Sequence, residues 1–114
     1  MTIRGNWYVK AVVVMTALAV IFLLSAPVQA QGAGEKVYKA KCAMCHGADG
    51  AGATAAGKAM KVTSLCSDEA KKASDAEWTE LIVKGKNKMP AYDKKLSEAE
   101  IKDVIAYMRG LCKK

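Results

Sequence analysis

The chain has 114 residues, of which 52% are hydrophobic and 25% charged, and its formal net charge is +7. That length holds one small domain and excludes multidomain enzymes and large folds.

The apolar residues are concentrated at the start, where Arg4 and Lys10 precede a largely apolar, uncharged run from Ala11 to Leu24, then Ser25, Ala26 and Pro27. A basic start, an apolar middle and small or apolar residues at Val28 and Ala30 have the layout of a secretory leader over residues 1–30, cut after Ala30. No Cys sits at that junction, so a lipoprotein is not indicated. An uncleaved membrane anchor is the rival reading, because Ala11 to Val28 carries no charge and about 18 such residues can cross a bilayer. The working domain is then residues 31–114, with a net charge of +5. Export to an oxidising compartment would let its Cys residues form disulfides or carry attached cofactors. The one Phe, Phe22, falls in the leader, so the domain's core is thin and calls for a staple such as a disulfide, metal or cofactor.

Gln31-Gly32-Ala33-Gly34 reads as a flexible lead-in, and Glu35 to His46, free of Pro and Gly, as a helix stopped by Gly47. Residues 47–57 are so rich in Gly and Ala that they suit an irregular loop passing close to another surface better than a regular element. Ser67 to Ala73 allows a short helix. Ser74-Asp75-Ala76-Glu77 is a capping box ahead of Trp78, Leu81 and Ile82, with Gly85 as the stop, which predicts a helix over 75–84. Pro90 keeps the stretch from Lys86 to Tyr92 out of a helix. Ser97-Glu98-Ala99-Glu100 is a second capping box, and Ile101, Val104, Ile105 and Met108 follow at helical spacing up to a stop at Gly110. With no strand-like alternation, the expected domain is all-α, with three to four short helices and sizeable loops.

Cys42-Ala43-Met44-Cys45-His46 is a C-x-x-C-H run, the pattern for covalent attachment of a c-type haem. On a helix, residues i, i+3 and i+4 share a face. Cys42 and Cys45 can therefore each add a thiol to a haem vinyl group while His46, the only His in the chain, presents its imidazole to the iron. Two other readings use the same thiols. A thioredoxin-like dithiol expects a neighbouring strand-helix-strand pattern, which is missing, and a zinc site would have to gather Cys42, Cys45, Cys66 and Cys112, of which the last two are isolated. For the sixth iron position, Met44 and Met108 read as packing residues. Met60 is a candidate, and Met89 is preferred, because it stands in an extended loop stiffened by Pro90 and can reach across a haem opposite His46.

The leader, the C-x-x-C-H run ending the first helix, the segment Gly85-Lys-Asn-Lys-Met89-Pro90-Ala-Tyr92 and the final helix from Leu96 to Leu111 together resemble a class I bacterial monohaem cytochrome c. The resemblance covers residues 33–114 and implies a fold of helices and loops wrapped around one covalent haem. In that fold Gly34 and Tyr38 would meet Tyr107 and Leu111 where the first and last helices cross. It further implies Cys42 and Cys45 as thioether attachments, His46 as proximal and Met89 as distal ligand. Two features depart from the family pattern. Many members have a Pro after the attachment motif whose carbonyl accepts from the axial His, whereas after the leader this chain has only Pro90, so another carbonyl within 47–65 is expected to orient His46. Cys66 and Cys112 are also additional, and a disulfide between them is the economical reading for an exported chain; two separate thiols is the other.

Lys84, Lys86 and Lys88 precede Met89, Lys94 and Lys95 follow it, and Lys39, Lys41, Lys58 and Lys61 fall near the opposite edge of the expected haem. Such a ring would steer the protein to acidic patches on redox partner proteins, although solvated surface lysines read the same way. The expected function is that of an exported, monomeric one-electron carrier, periplasmic or tethered by its leader, with no enzyme activity and no nucleic-acid partner. A haem enzyme or gas sensor with an open sixth site is the alternative.

Overall fold

The computed structural model describes residues 3–24 and 28–113. Helix α1 (Ile3–Leu24) covers the apolar start, and its described side chains, from Asn6 to Val20, are all exposed. The expected cut after Ala30 is approached through residues 25–27, which lie outside the described residues. Among the described residues no helix is long and apolar enough to cross a membrane.

The domain that follows is built from α2 (Val28–Lys41), α3 (Ala43–His46), α4 (Ala55–Ala59), α5 (Asp68–Lys72), α6 (Asp75–Lys84) and α7 (Glu98–Leu111). Among the described residues there is no strand, only one isolated bridge between Lys86 and Met89. The all-α expectation therefore holds, with more and shorter helices than the three or four anticipated.

Helices α6 and α7 start where the two capping boxes place them. Ser74 accepts from the Glu77 backbone N–H at 3.1 Å, and the Glu77 carboxylate accepts from Ser74 N–H at 2.6 Å; Ser97 and Glu100 repeat the arrangement at 3.2 and 2.7 Å. Four expectations need correction. The lead-in at 31–34 is helical, because Gly34 lies against α7 so closely that a Cβ there would overlap the Asp103 carbonyl, and packing outweighs the low helix propensity of Gly. The first helix does not run unbroken to His46 but is interrupted at Cys42 (φ −117°) and restarts as α3. The Gly/Ala-rich segment does pass close to other backbone, yet it also contains α4, capped by the Thr54 side chain accepting from Gly57 N–H at 2.9 Å. Helix α7 continues through Gly110, since Leu111 packs on the core and Cys112, the capping residue, is held by Cys66. The Cα atoms of that Cys pair are 5.2 Å apart and the sulfurs 2.00 Å apart.

The core consists of Tyr38 from α2, Trp78 and Ile82 from α6, Tyr92 and Leu96 from the connecting loop, and Ile101, Val104, Ile105 and Met108 from α7. Tyr38 is fully buried; its hydroxyl donates to the Gly47 carbonyl and its ring centroid is 5.3 Å from that of Tyr107. Arg109 locks α5 and α6 onto α7. Its guanidinium lies 3.9 Å from the Trp78 ring centroid, donates to Asp75 Oδ1 at 3.0 Å and also donates to the Ala73 carbonyl.

Burial pushes the Tyr38 phenol up from its ordinary 10.0 to about 12. The folded state thus holds the proton where the unfolded chain has released it, and stability is lost as pH rises from about 10 to about 12. Tyr92 is shifted in the same direction, also mainly by burial. Chemical denaturation across that window should give a falling midpoint in the native protein and a shallower fall in Tyr38→Phe.

Candidate functional site

Helix α3 is one turn long. The Cys42 carbonyl accepts from the N–H groups of Cys45 at 3.2 Å and His46 at 3.0 Å, which sets both side chains relative to Cys42. Thr54 supports this turn from outside, with its hydroxyl 2.8 Å from the Met44 carbonyl and 3.2 Å from the Cys45 carbonyl. Gly57 must be Gly, because a Cβ would overlap the carbonyls of Cys45 and Gly52.

The opposite wall is the loop between α6 and α7. Gly85 (φ +70°) turns the chain in a conformation L side chains rarely adopt, and a Cβ there would meet Met89 O at 2.6 Å and Ala91 N at 2.9 Å. Asn87 (φ +55°) makes the tip, with Met89 N–H donating to the Lys86 carbonyl at 2.9 Å. Tyr92 fixes the far side, its N–H donating to the Ile82 carbonyl at 3.0 Å and its hydroxyl to the Lys41 carbonyl at 3.1 Å.

Between these walls lies a cavity of about 540 Å³, within the range of cofactor sites. Cys42, Cys45, His46 and Met89 all line it, together with apolar core residues such as Trp78, Ile82 and Val104. Met60 also lines the cavity but is 42% exposed, whereas Met108 is a buried core residue as expected. Met44 is not a packing residue; at 79% exposed it faces solvent, two residues from Cys42 and so on the other side of the turn from it. Cys66 and Cys112 are not brought to the cavity and meet each other instead.

Burial lowers the His46 pKa, favouring the neutral imidazole that ligates metal. Its Nδ1 is buried and makes no hydrogen bond, so the orienting carbonyl expected from residues 47–65 is not supplied there. Burial also pushes the Cys42 thiol up to about 11, the opposite of the depressed value that marks a reactive dithiol. Nor does any group of three or more His, Cys, Asp or Glu among the described residues form a metal cluster of the zinc type. An apolar cradle with two thiols on one turn, an imidazole beside them and a thioether on the same lining fits a covalently held haem.

The family model described as "Cytochrome C oxidase, cbb3-type, subunit III" matches residues 29–108. The chain belongs to the class I c-type cytochromes. It is 38% identical over 100 residues to the cytochrome c6-like protein of a Nostoc species, covering 84% of this chain and 86% of that one. Cytochrome c-555 of Methylococcus capsulatus is 36% identical over 106 residues, covering 83% and 80% of the two chains. Cytochrome c6 of a Picosynechococcus species is 31% identical over 103 residues, with 84% and 87% covered. As a c-type cytochrome the protein carries covalently bound haem c and is an electron carrier rather than an enzyme, working with redox partner proteins. When bound, haem c supplies a reversible one-electron Fe(III)/Fe(II) couple.

Three residues of this cytochrome site escape the sequence reading. Thr54 buttresses α3, and its signal is a Thr N-cap three residues before Gly57. Trp78 lines the cavity and is tethered by its indole N–H to the Ala70 carbonyl at 3.2 Å. Tyr92 joins the two walls; it stands in the segment that carries the family resemblance, but its partner, the Lys41 carbonyl, is 51 residues away.

Proposed function

We propose that Cys42 and Cys45 form the two thioether bonds, that His46 is the proximal and Met89 the distal iron ligand, and that residues 31–114, freed of a leader cut after Ala30, work as an exported, periplasmic electron shuttle. The observation that carries this reading is the meeting of Met89 with Cys42, Cys45 and His46 on one apolar cavity, from elements far apart in the chain. Ligation by protein on both sides leaves little to rearrange on electron transfer, which suits a carrier. A disulfide between Cys66 and Cys112 is the second staple of the thin core, and closing a loop of that length constrains the unfolded chain by a few kcal/mol.

Lys41, Lys61, Lys86 and Lys88 line the mouth of the cavity and are exposed. Lys39 and Lys84 are drawn to Glu35 and Glu80, each at 2.6 Å, and contribute less to the outward field. The basic rim fits an acidic docking patch on the partner and faster encounter at low salt.

The test is an intact mass of protein exported from a host that matures c-type cytochromes, read with its visible spectrum before and after dithionite. The expected result is residues 31–114 plus one haem, less the two hydrogen atoms lost on forming a disulfide, with sharp reduced bands. A bare polypeptide without those bands would overturn the assignment of the two thioethers, and a haem-bearing mass that keeps residues 1–30 would replace the free shuttle by a tethered one.

A further inference from the structure

We infer that Tyr92 is the positioning residue that keeps Met89 at its ligand station, by clasping the methionine loop to the end of the helix that carries the attachment motif. The inference rests on Met89 and His46 as the axial pair. Helix α2 ends at Lys41, and the last carbonyls of a helix have no partner within it. The Lys41 carbonyl takes its hydrogen bond from the Tyr92 hydroxyl at 3.1 Å, across 51 residues of sequence. Lys41 is the residue before Cys42, and Tyr92 stands three residues after Met89. One side-chain hydrogen bond therefore spans from one wall of the cavity to the other.

The rest of Tyr92 is fixed as well. Its ring is 9% exposed within the core, its N–H donates to the Ile82 carbonyl, and its carbonyl accepts from Lys95 and Leu96 at 3.1 Å each. On the Met89 side, the backbone hydrogen bonds of the loop tip among the described residues are those of the tight Lys86–Met89 turn, which hold the tip to itself and not to the opposite wall. The hydroxyl is thus the tie that opposes outward movement of Met89. Phe in its place keeps the ring and removes the tie.

The test compares Tyr92→Phe with Ser97→Ala in the ferric holoprotein. Ser97 caps α7 at the far end of the same loop from Met89 and does not itself line the cavity, so its loss lowers stability while leaving the Tyr92 tie in place. Imidazole is titrated against each, following loss of the far-red charge-transfer band of a thioether bound to iron. Tyr92→Phe is expected to raise imidazole affinity up to about tenfold, the order that follows from losing one partly buried hydrogen bond, while Ser97→Ala leaves it unchanged. Equal shifts in the two variants would make Tyr92 a merely structural residue and overturn the inference. A second measurement needs no variant: in the native protein the Tyr92 hydroxyl proton should be slow to exchange by NMR and lose that protection on saturation with imidazole, and protection that survives saturation overturns the clasp. If the native protein lacks the band and binds imidazole as readily as Met89→Ala, it is the ligand assignment that fails, and the clasp with it.

Discussion

The Cys42→Ala/Cys45→Ala double variant is expected to lose covalent haem entirely and, with it, a cooperative thermal transition. The mass should return to that of the polypeptide, and circular dichroism should show a chain largely unfolded at room temperature. Two magnitudes carry this. Among the described residues the core has nine buried hydrophobic side chains, and six of them, Trp78, Ile82, Tyr92, Leu96, Val104 and Met108, also line the cavity. Without haem those six side chains lose the packing partner on their cavity side, and since removing one large apolar group from a core costs about 2–5 kcal/mol, the loss rivals the about 5–15 kcal/mol that a whole domain has to spare. Haem bound without thioethers would restore some of the contact but would dissociate. A double variant that keeps a sharp, native-like transition without haem would show that the helices and the Cys66 and Cys112 pairing suffice on their own.

What the sequence discloses about this cytochrome is what short-range chemistry decides. The capping boxes at Ser74 and Ser97 start α6 and α7 at the right residue, because a cap and its partner are three residues apart and need nothing else. The C-x-x-C-H run is legible for the same reason: both attachments and one ligand fall within a single turn. The break at Cys42 is not legible, since Ala40 to Ala43 contains no helix breaker and the group that takes the freed Lys41 carbonyl, Tyr92, arrives from far along the chain. Helix α4 is hidden because Gly57 reads as a breaker locally, whereas in the fold it is the one residue thin enough to lie on the Cys45 carbonyl. Met44 reads as packing because it lies inside the attachment motif, yet the turn that sends Cys42, Cys45 and His46 to the cavity leaves Met44 79% exposed. Arg109 shows the limit most clearly. Its sequence context is an exposed helix end, while its position ties the loop between α5 and α6, and the Trp78 ring, to α7.

Met89→Ala is expected to convert the carrier into a ligand-binding haem protein without unfolding it. The loop is shaped by Gly85, Asn87, Pro90 and Tyr92 rather than by the methionine side chain, which is half-buried at the edge of the core, so the fold should lose no more than the about 2–5 kcal/mol of a large-to-small substitution. The thioether favours the ferrous state, and axial ligands tune haem potentials over about 0.8 V, so its removal should lower the potential by an amount on the order of 0.1 V or more. Three readouts should move together: the far-red thioether band disappears, the midpoint in a redox titration falls, and the reduced protein binds CO rapidly. The comparison that decides is Met60→Ala. Met60 lines the same cavity, but it caps α4 and is 42% exposed, so replacing it should leave all three readouts as they are in the native protein. If Met60→Ala abolishes the band and Met89→Ala preserves it, the distal ligand comes from the α4 side and the Met89 loop is only a wall of the cavity. If the native protein lacks the band and neither variant alters its potential or CO binding, no thioether holds the sixth position, and the haem is open to small ligands in the native protein.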